Sequence, residues 1–349
     1  MKIMETEEKL FKILAEYGRI HEDDMEILYS SRKYMQERLN QMIEEKYLKE
    51  INAIVKEDGD KKTVKARDMK LIQLTSKGKK EVADIGVIIR KPITTTIGAM
   101  EKQRKQTKTA VILDKMGIPV LETEYSKGNM EKWFEQSSVV KKNCDTLNNH
   151  SRMMGILYSP GGDYAVYNIG DGTGKWYISE ERTILNVRQY DRQISEMVIF
   201  VKDKNAQENF EAIISKSKDN SFLIGTELKT CSILTDDADG YEMLMNMTNK
   251  DWKKRIAEYC LNDGAVEEPT IKFADYKYKD KHVVIMVHNC MVRRKSIQSY
   301  QSVMQYTRNE GKDVLIICLD NQYLYYRKML PNVEKKTISQ EKVNEICNA

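Results

Sequence analysis

The chain has 349 residues, 41% of them hydrophobic, enough for two or three domains with cores of their own. Charged residues make up 32%, but the signs are interspersed and the net charge is +4. This excludes a global polycation and confines any nucleic-acid contact to local patches.

The elements begin at residues 6–17, TEEKLFKILAEY, where Leu10, Ile13, Leu14 and Tyr17 give a helix one apolar face and Gly18 ends it. A short helix is expected in HEDDMEILY. Ser30 or Ser31 caps a third, RKYMQERLNQMIEEKYL, with Met35, Leu39, Met42 and Ile43 inward. Its outward face near the start carries Arg32, Lys33, Gln36 and Asn40. Two strands follow, at 48–56 and 69–74, separated by the turn DGDKK and a basic stretch with Lys61, Lys62, Lys65 and Arg67. Thr75 or Ser76 caps a closing helix in LTSKGKKEVADI.

Three helices, a two-stranded wing and a closing helix make a winged helix-turn-helix over residues 1–90. The phrase LTSKGKKEV after a strand resembles the wing-to-helix junction of many bacterial winged-helix regulators. A helix of this diameter fits the major groove, so Arg32, Lys33, Gln36 and Asn40 are the candidate base readers. Lys61, Lys62, Lys65 and Arg67 are the candidate phosphate or minor-groove contacts. The acids in EEK, HEDD and IEEK nearly balance the domain's charge, and a protein-interaction module is the alternative.

Residues 91–150 are expected to form a helical connector. Its main helix spans 97–116 and holds Lys102, Arg104, Lys105 and Lys108 within two turns. These either extend the DNA footprint or form a solvated face. Residues 118–150 look irregular, and Trp133 and Phe134 there need burial.

From about residue 151 strands and helices alternate. Strands are expected in MMGILYS, YAVYNIG, GKWYI, MVIFV, SFLIG, TCSIL, IKFADYKYK, HVVIMVHN, DVLIICL and YLYYRKM. Helices are expected at 179–194, in NAQENFEAIISK, at 241–261 and in RKSIQSYQSVMQYTRN. Residues 151–349 therefore read as a mixed-sheet α/β domain, and the whole as α+β or α/β. A degenerate restriction-endonuclease-like fold is one form this domain can take.

The segment NNHSRMMGILYSPGGDYAVYNIGDGTGKWYISEERTI, together with the N-terminal domain, resembles winged-helix proteins of Firmicutes plasmids and integrative conjugative elements. It is also distantly similar to the replication-relaxation family, which pairs a winged helix with a nuclease-like domain. The resemblance implies a mobile-element setting, in replication, transfer or regulation, and assigns no chemistry.

Four catalytic templates fail on residues. A PD-(D/E)xK nuclease finds Asp275 at its first position, but Met286 and His288 where Glu and Lys belong. A TOPRIM-like site finds Asp237 and Asp239 beside Asp236, but Lys202 where the earlier strand needs a Glu. An acidic turn capping a helix accounts for these three aspartates. A histidine-metal relaxase needs a His-hydrophobic-His strand, and His21, His150, His282 and His288 contain none. A tyrosine recombinase needs distant Arg and His partners that Arg293, Arg294, Tyr300 and Tyr306 do not supply. GDGTGK lacks the length of a phosphate loop.

Six cysteines are scattered with no C-x-x-C pair, and Cys231, Cys290 and Cys318 sit in apolar strands. A reduced, cytoplasmic setting without zinc is expected, with no membrane partner and no cofactor. The expected partner is double-stranded DNA, with a homodimer left open. A non-enzymatic DNA-binding protein leads. The alternatives are a metal-dependent nuclease or relaxase, and a regulator with a C-terminal sensing or dimerisation domain.

Overall fold

The computed structural model describes residues 3–54, 68–87, 89–90, 97–125, 130–143, 151–171, 176, 180, 184, 187–189, 192–216, 228–261, 266–304 and 313–348. The chain divides into two compact units, Met1–Gln136 and Ser137–Ala349.

The first unit opens with α1 (Glu5–Tyr17), whose periodic Leu10, Ile13, Leu14 and Tyr17 are all buried. Gly18 stops it with φ +92°, and a Cβ there would meet Gln103 Nε2 at 2.1 Å. β1 (Ile20–His21) and α2 (Glu22–Met25) lead to α3 (Arg32–Glu44). Ser31 caps α3, its side chain accepting from the Tyr34 N–H at 3.3 Å. β2 (Leu48–Ile54) and β3 (Asp68–Leu74) pair antiparallel from Leu48↔Leu74 to Ile54↔Asp68. β1 adds to the other edge of β3, giving the order β1-β3-β2. Thr75 caps α4 (Ser76–Asp84) by accepting from the Gly78 N–H at 3.2 Å.

α5 (Ile97–Lys115) is not a connector. It packs on α1 and β1, burying Gln103, Thr107, Ala110, Val111 and Leu113, and Gln103 Nε2 donates to the Tyr17 carbonyl at 2.7 Å. The stretch read as irregular holds α6 (Glu122–Tyr125) and β4 (Trp133–Gln136), with Phe134 fully buried.

The second unit is mixed α/β. α7 (Ser137–Asn143) precedes β5 (Met153–Tyr158) and β6 (Tyr164–Gly170), an antiparallel pair. A small hairpin, β7 (Arg188–Gln189) and β8 (Arg192–Gln193), leads to β9 (Glu196–Val201), α8 (Lys204–Lys216) and β10 (Thr230–Thr235). β6, β9 and β10 are parallel, in the order β10-β9-β6-β5. α9 (Ala238–Met247) and α10 (Trp252–Cys260) follow. A second sheet has the order β11-β12-β13-β14: β11 (Tyr276–Tyr278), β12 (Lys281–Ile285), then α11 (Met291–Met304), β13 (Val314–Leu319), α12 (Tyr323–Met329), β14 (Glu334–Ile338) and α13 (Gln340–Asn348). β11 and β12 are antiparallel and the rest are parallel. A bridge between Ser232 and Cys290 joins the two sheets. VLIICL of β13 is buried along its whole length, as a parallel strand covered on both faces must be. The five described cysteines are buried and in no disulfide.

Three expectations are corrected. YLYYRKM is helix α12, not a strand: its Tyr326 is buried and donates to Asn289 Oδ1 at 3.1 Å. The end of the helix expected at 179–194 is the β7–β8 hairpin. The helix expected at 241–261 is two helices, because Asp251 adopts φ +58° between them. The strands expected in GKWYI (Trp176 apart) and SFLIG (221–225) lie outside the described residues. Among the described residues no helix is long and apolar enough to cross a membrane.

Candidate nucleic-acid interface

α3 has two faces. Met35, Leu39 and Met42 are buried against the first unit's core. Arg32, Gln36 and Asn40 recur every four residues along the flank of that buried face, so they form one stripe, with Lys33 beside its start. Arg32, Lys33 and Asn40 are exposed and Gln36 is half-exposed. Gln36 Nε2 donates to Asn40 Oδ1 at 3.4 Å, and Arg32 lies 3.4 Å from Asp23 in an exposed pair. Such a pair in water is worth little and is easily exchanged.

The helix is fixed in rotation by a pair that sequence reading did not single out. Arg38 reaches down from α3 to Glu7 of α1, whose carboxylate is only 1% exposed. Both carboxylate oxygens are engaged by the guanidinium, and Glu7 Oε2 also accepts from the Met4 N–H at 2.8 Å. Two polar positions on separate amphipathic helices carry no sign of their pairing until the helices pack.

Lys61, Lys62, Lys65 and Arg67 lie outside the described residues. Lys102, Arg104, Lys105 and Lys108 of α5 are half-buried, and Arg104 and Lys105 turn to acids of their own unit. Arg104 sits 3.6 Å from Asp24 and 3.4 Å from Glu101, and Lys105 is 3.9 Å from Glu101. Arg104's partner Asp24 is the chain neighbour of Asp23, the partner of Arg32 in the α3 stripe.

Several residues of the catalytic templates have structural partners. Asp237 caps α9, accepting from the Gly240 N–H at 3.0 Å and the Thr235 hydroxyl at 2.6 Å, and Asp236 accepts from the Tyr241 hydroxyl at 3.2 Å. Asp275 accepts from Lys253 Nζ at 3.0 Å, Arg293 Nη2 at 3.4 Å and the Ile285 N–H at 2.9 Å. Burial alone would raise this carboxyl; the two cations outweigh burial and hold it below the usual range. His288 is buried against the Trp252 ring, and burial and the same cations hold its imidazole neutral. Arg294 pairs with Glu211 at 2.9 Å. Tyr300 donates to Asp313, and its phenol is pushed up to about 12 by burial and that carboxylate. Among the described residues no three His, Cys, Asp or Glu side chains converge on a metal position.

Compared with protein-family models, with curated proteins and with solved structures, the chain finds no match.

Proposed function

We propose that the protein binds double-stranded DNA, with its first unit acting as a winged helix and α3 entering the major groove. The observation that carries this is the α3 stripe of Arg32, Gln36 and Asn40 with Lys33, on a helix anchored from behind by Arg38 and Glu7. Guanidinium and carboxamide groups are the side chains that read base edges in pairs of hydrogen bonds. The order β1-β3-β2 supports it, because β2 and β3 form an antiparallel wing beside that helix. The basic run at 61–67 would meet phosphates. We take the target to be the DNA of a mobile element, on the strength of the sequence resemblance, and the role to be non-enzymatic.

The second unit's β11–β12 hairpin with Asp275 is the part a restriction-endonuclease-like fold would claim. Two cations at Asp275 favour an inert version of it.

The test is selection of duplexes from a random pool by the full-length chain, followed by a salt titration of the enriched sequence. An enriched motif and an affinity falling steeply with salt are expected. No enrichment and no salt-sensitive binding at low ionic strength overturns the proposal in favour of a protein-interaction module.

A further inference from the structure

A cleft of about 330 Å³ opens in the second unit where β10 and β13 end. This is the position at which parallel α/β sheets accept ligands, just beyond the carboxyl ends of their strands. The size suits a small organic molecule, for which sites run from about 300 to 1,000 Å³. Ile233, Leu234, Met243, Val287 and Leu319 give it an apolar lining. Asn289 holds one edge in a backbone conformation that side chains rarely adopt, φ +49°. Its amide donates to the Ile233 carbonyl at 3.4 Å and accepts from the Tyr326 hydroxyl at 3.1 Å.

The charge of the bound group follows from the rim. Three helices, α8, α9 and α13, begin at the cleft, and their open N–H groups would ordinarily attract an anion. Each has one of these N–H groups taken by its own capping side chain. Asp203 accepts from the Ala206 N–H at 2.9 Å, Asp237 from the Gly240 N–H at 3.0 Å, and Ser339 from the Lys342 N–H at 3.2 Å. Two of those caps are themselves carboxylates. Among the described residues the lining adds Glu208 and Asp239 against one cation, Lys204. The carboxamides favour neither sign: Gln207 gives one N–H to Glu211 at 2.9 Å and Gln340 gives one to Asn344 at 2.8 Å, and each has a carbonyl oxygen and a second N–H to offer a ligand. Among the described lining residues carboxylates therefore outnumber cations around an apolar interior. The carboxylates do not gather into a metal site among the described residues.

We propose that this cleft binds a small organic cation, an amine or guanidinium carried on an apolar body. The apolar lining takes the body, and Asp239 with Glu208 takes the charged end. The site is independent of DNA binding by the first unit.

The experiment titrates the full-length chain with phenethylamine, agmatine and spermidine, and in parallel with phenylacetate and inorganic phosphate. Calorimetry and saturation-transfer NMR report binding. At least one amine is expected to saturate below about 10 mM, with phenylacetate about tenfold weaker or worse. Asp239→Asn, an exposed helix position, should weaken the amine about fivefold or more. Lys204→Ala should not weaken it, and Asn321→Trp, on the exposed rim, should block it. Far-UV circular dichroism checks that each variant is folded. The proposal is overturned if no amine saturates, if phenylacetate or phosphate binds as tightly, or if neither Asp239→Asn nor Asn321→Trp alters amine binding.

Discussion

Arg38 and Glu7 form a two-point pair that ties α3 to α1, with Nη2 to Oε2 at 2.7 Å and the Glu7 carboxylate sealed from solvent. Removing one partner strands the other. Arg38→Ala should therefore destabilise the first unit by about 3 kcal/mol in urea unfolding. The double replacement Glu7→Leu with Arg38→Leu should cost clearly less, because it leaves no buried charge. If the double variant is as unstable as the single, the pair is not what sets the cost.

On the DNA side, Arg32→Ala and Gln36→Ala should each reduce discrimination between the selected and a scrambled duplex by about 1–3 kcal/mol. Lys61→Ala with Lys62→Ala should weaken both duplexes alike and flatten the salt dependence. Fluorescence anisotropy over a salt series distinguishes the two. A wing variant that changes specificity while the helix variants do not would refute the assignment of roles.

Glu16 gives the first unit a pH-dependent stability. Burial raises its carboxyl to about 7, against the opposing pull of the Glu122 backbone N–H and the Arg90 charge. The group binds its proton more tightly folded than unfolded. Its contribution is complete below the ordinary carboxyl value of 4.5 and is lost as pH rises through about 7. The span corresponds to about 3 kcal/mol. Glu16→Gln keeps an acceptor for the Glu122 N–H and should flatten the pH profile of stability between pH 5 and 7.5 (about the titration range). Its gain over the parent should appear above pH 7. Parallel profiles for the two proteins would show that Glu16 is ionised when folded.

Asp275 is read as structural, so its removal should damage folding rather than chemistry. Asp275→Ala leaves Lys253 and Arg293 facing each other half-buried and should lower stability by about 3 kcal/mol. The parent chain should leave supercoiled plasmid intact with magnesium or manganese. Metal-dependent nicking that Asp275→Asn abolishes would put a nuclease first.

Local features were legible in the sequence because local terms decide them. The apolar period of α1, the Ser31 and Thr75 caps and the runs of β9, β10 and β13 each act within a few residues. The outward stripe of α3 followed from the same periodicity. What those terms left open, packing settled. YLYYRKM has the tyrosines of a strand, yet it is helical because burying Tyr326 against Asn289 outweighs intrinsic preference. Lys102, Arg104 and Lys105 read as a basic patch, but α5 docks on α1 and turns Arg104 and Lys105 to Glu101 and Asp24. The pair Arg38–Glu7, the Asp275 cluster and the cleft draw on residues from tens of positions apart. No spacing rule reaches that far, since their meeting depends on how strands and helices stack, which is set by burial of the whole core rather than by any one segment.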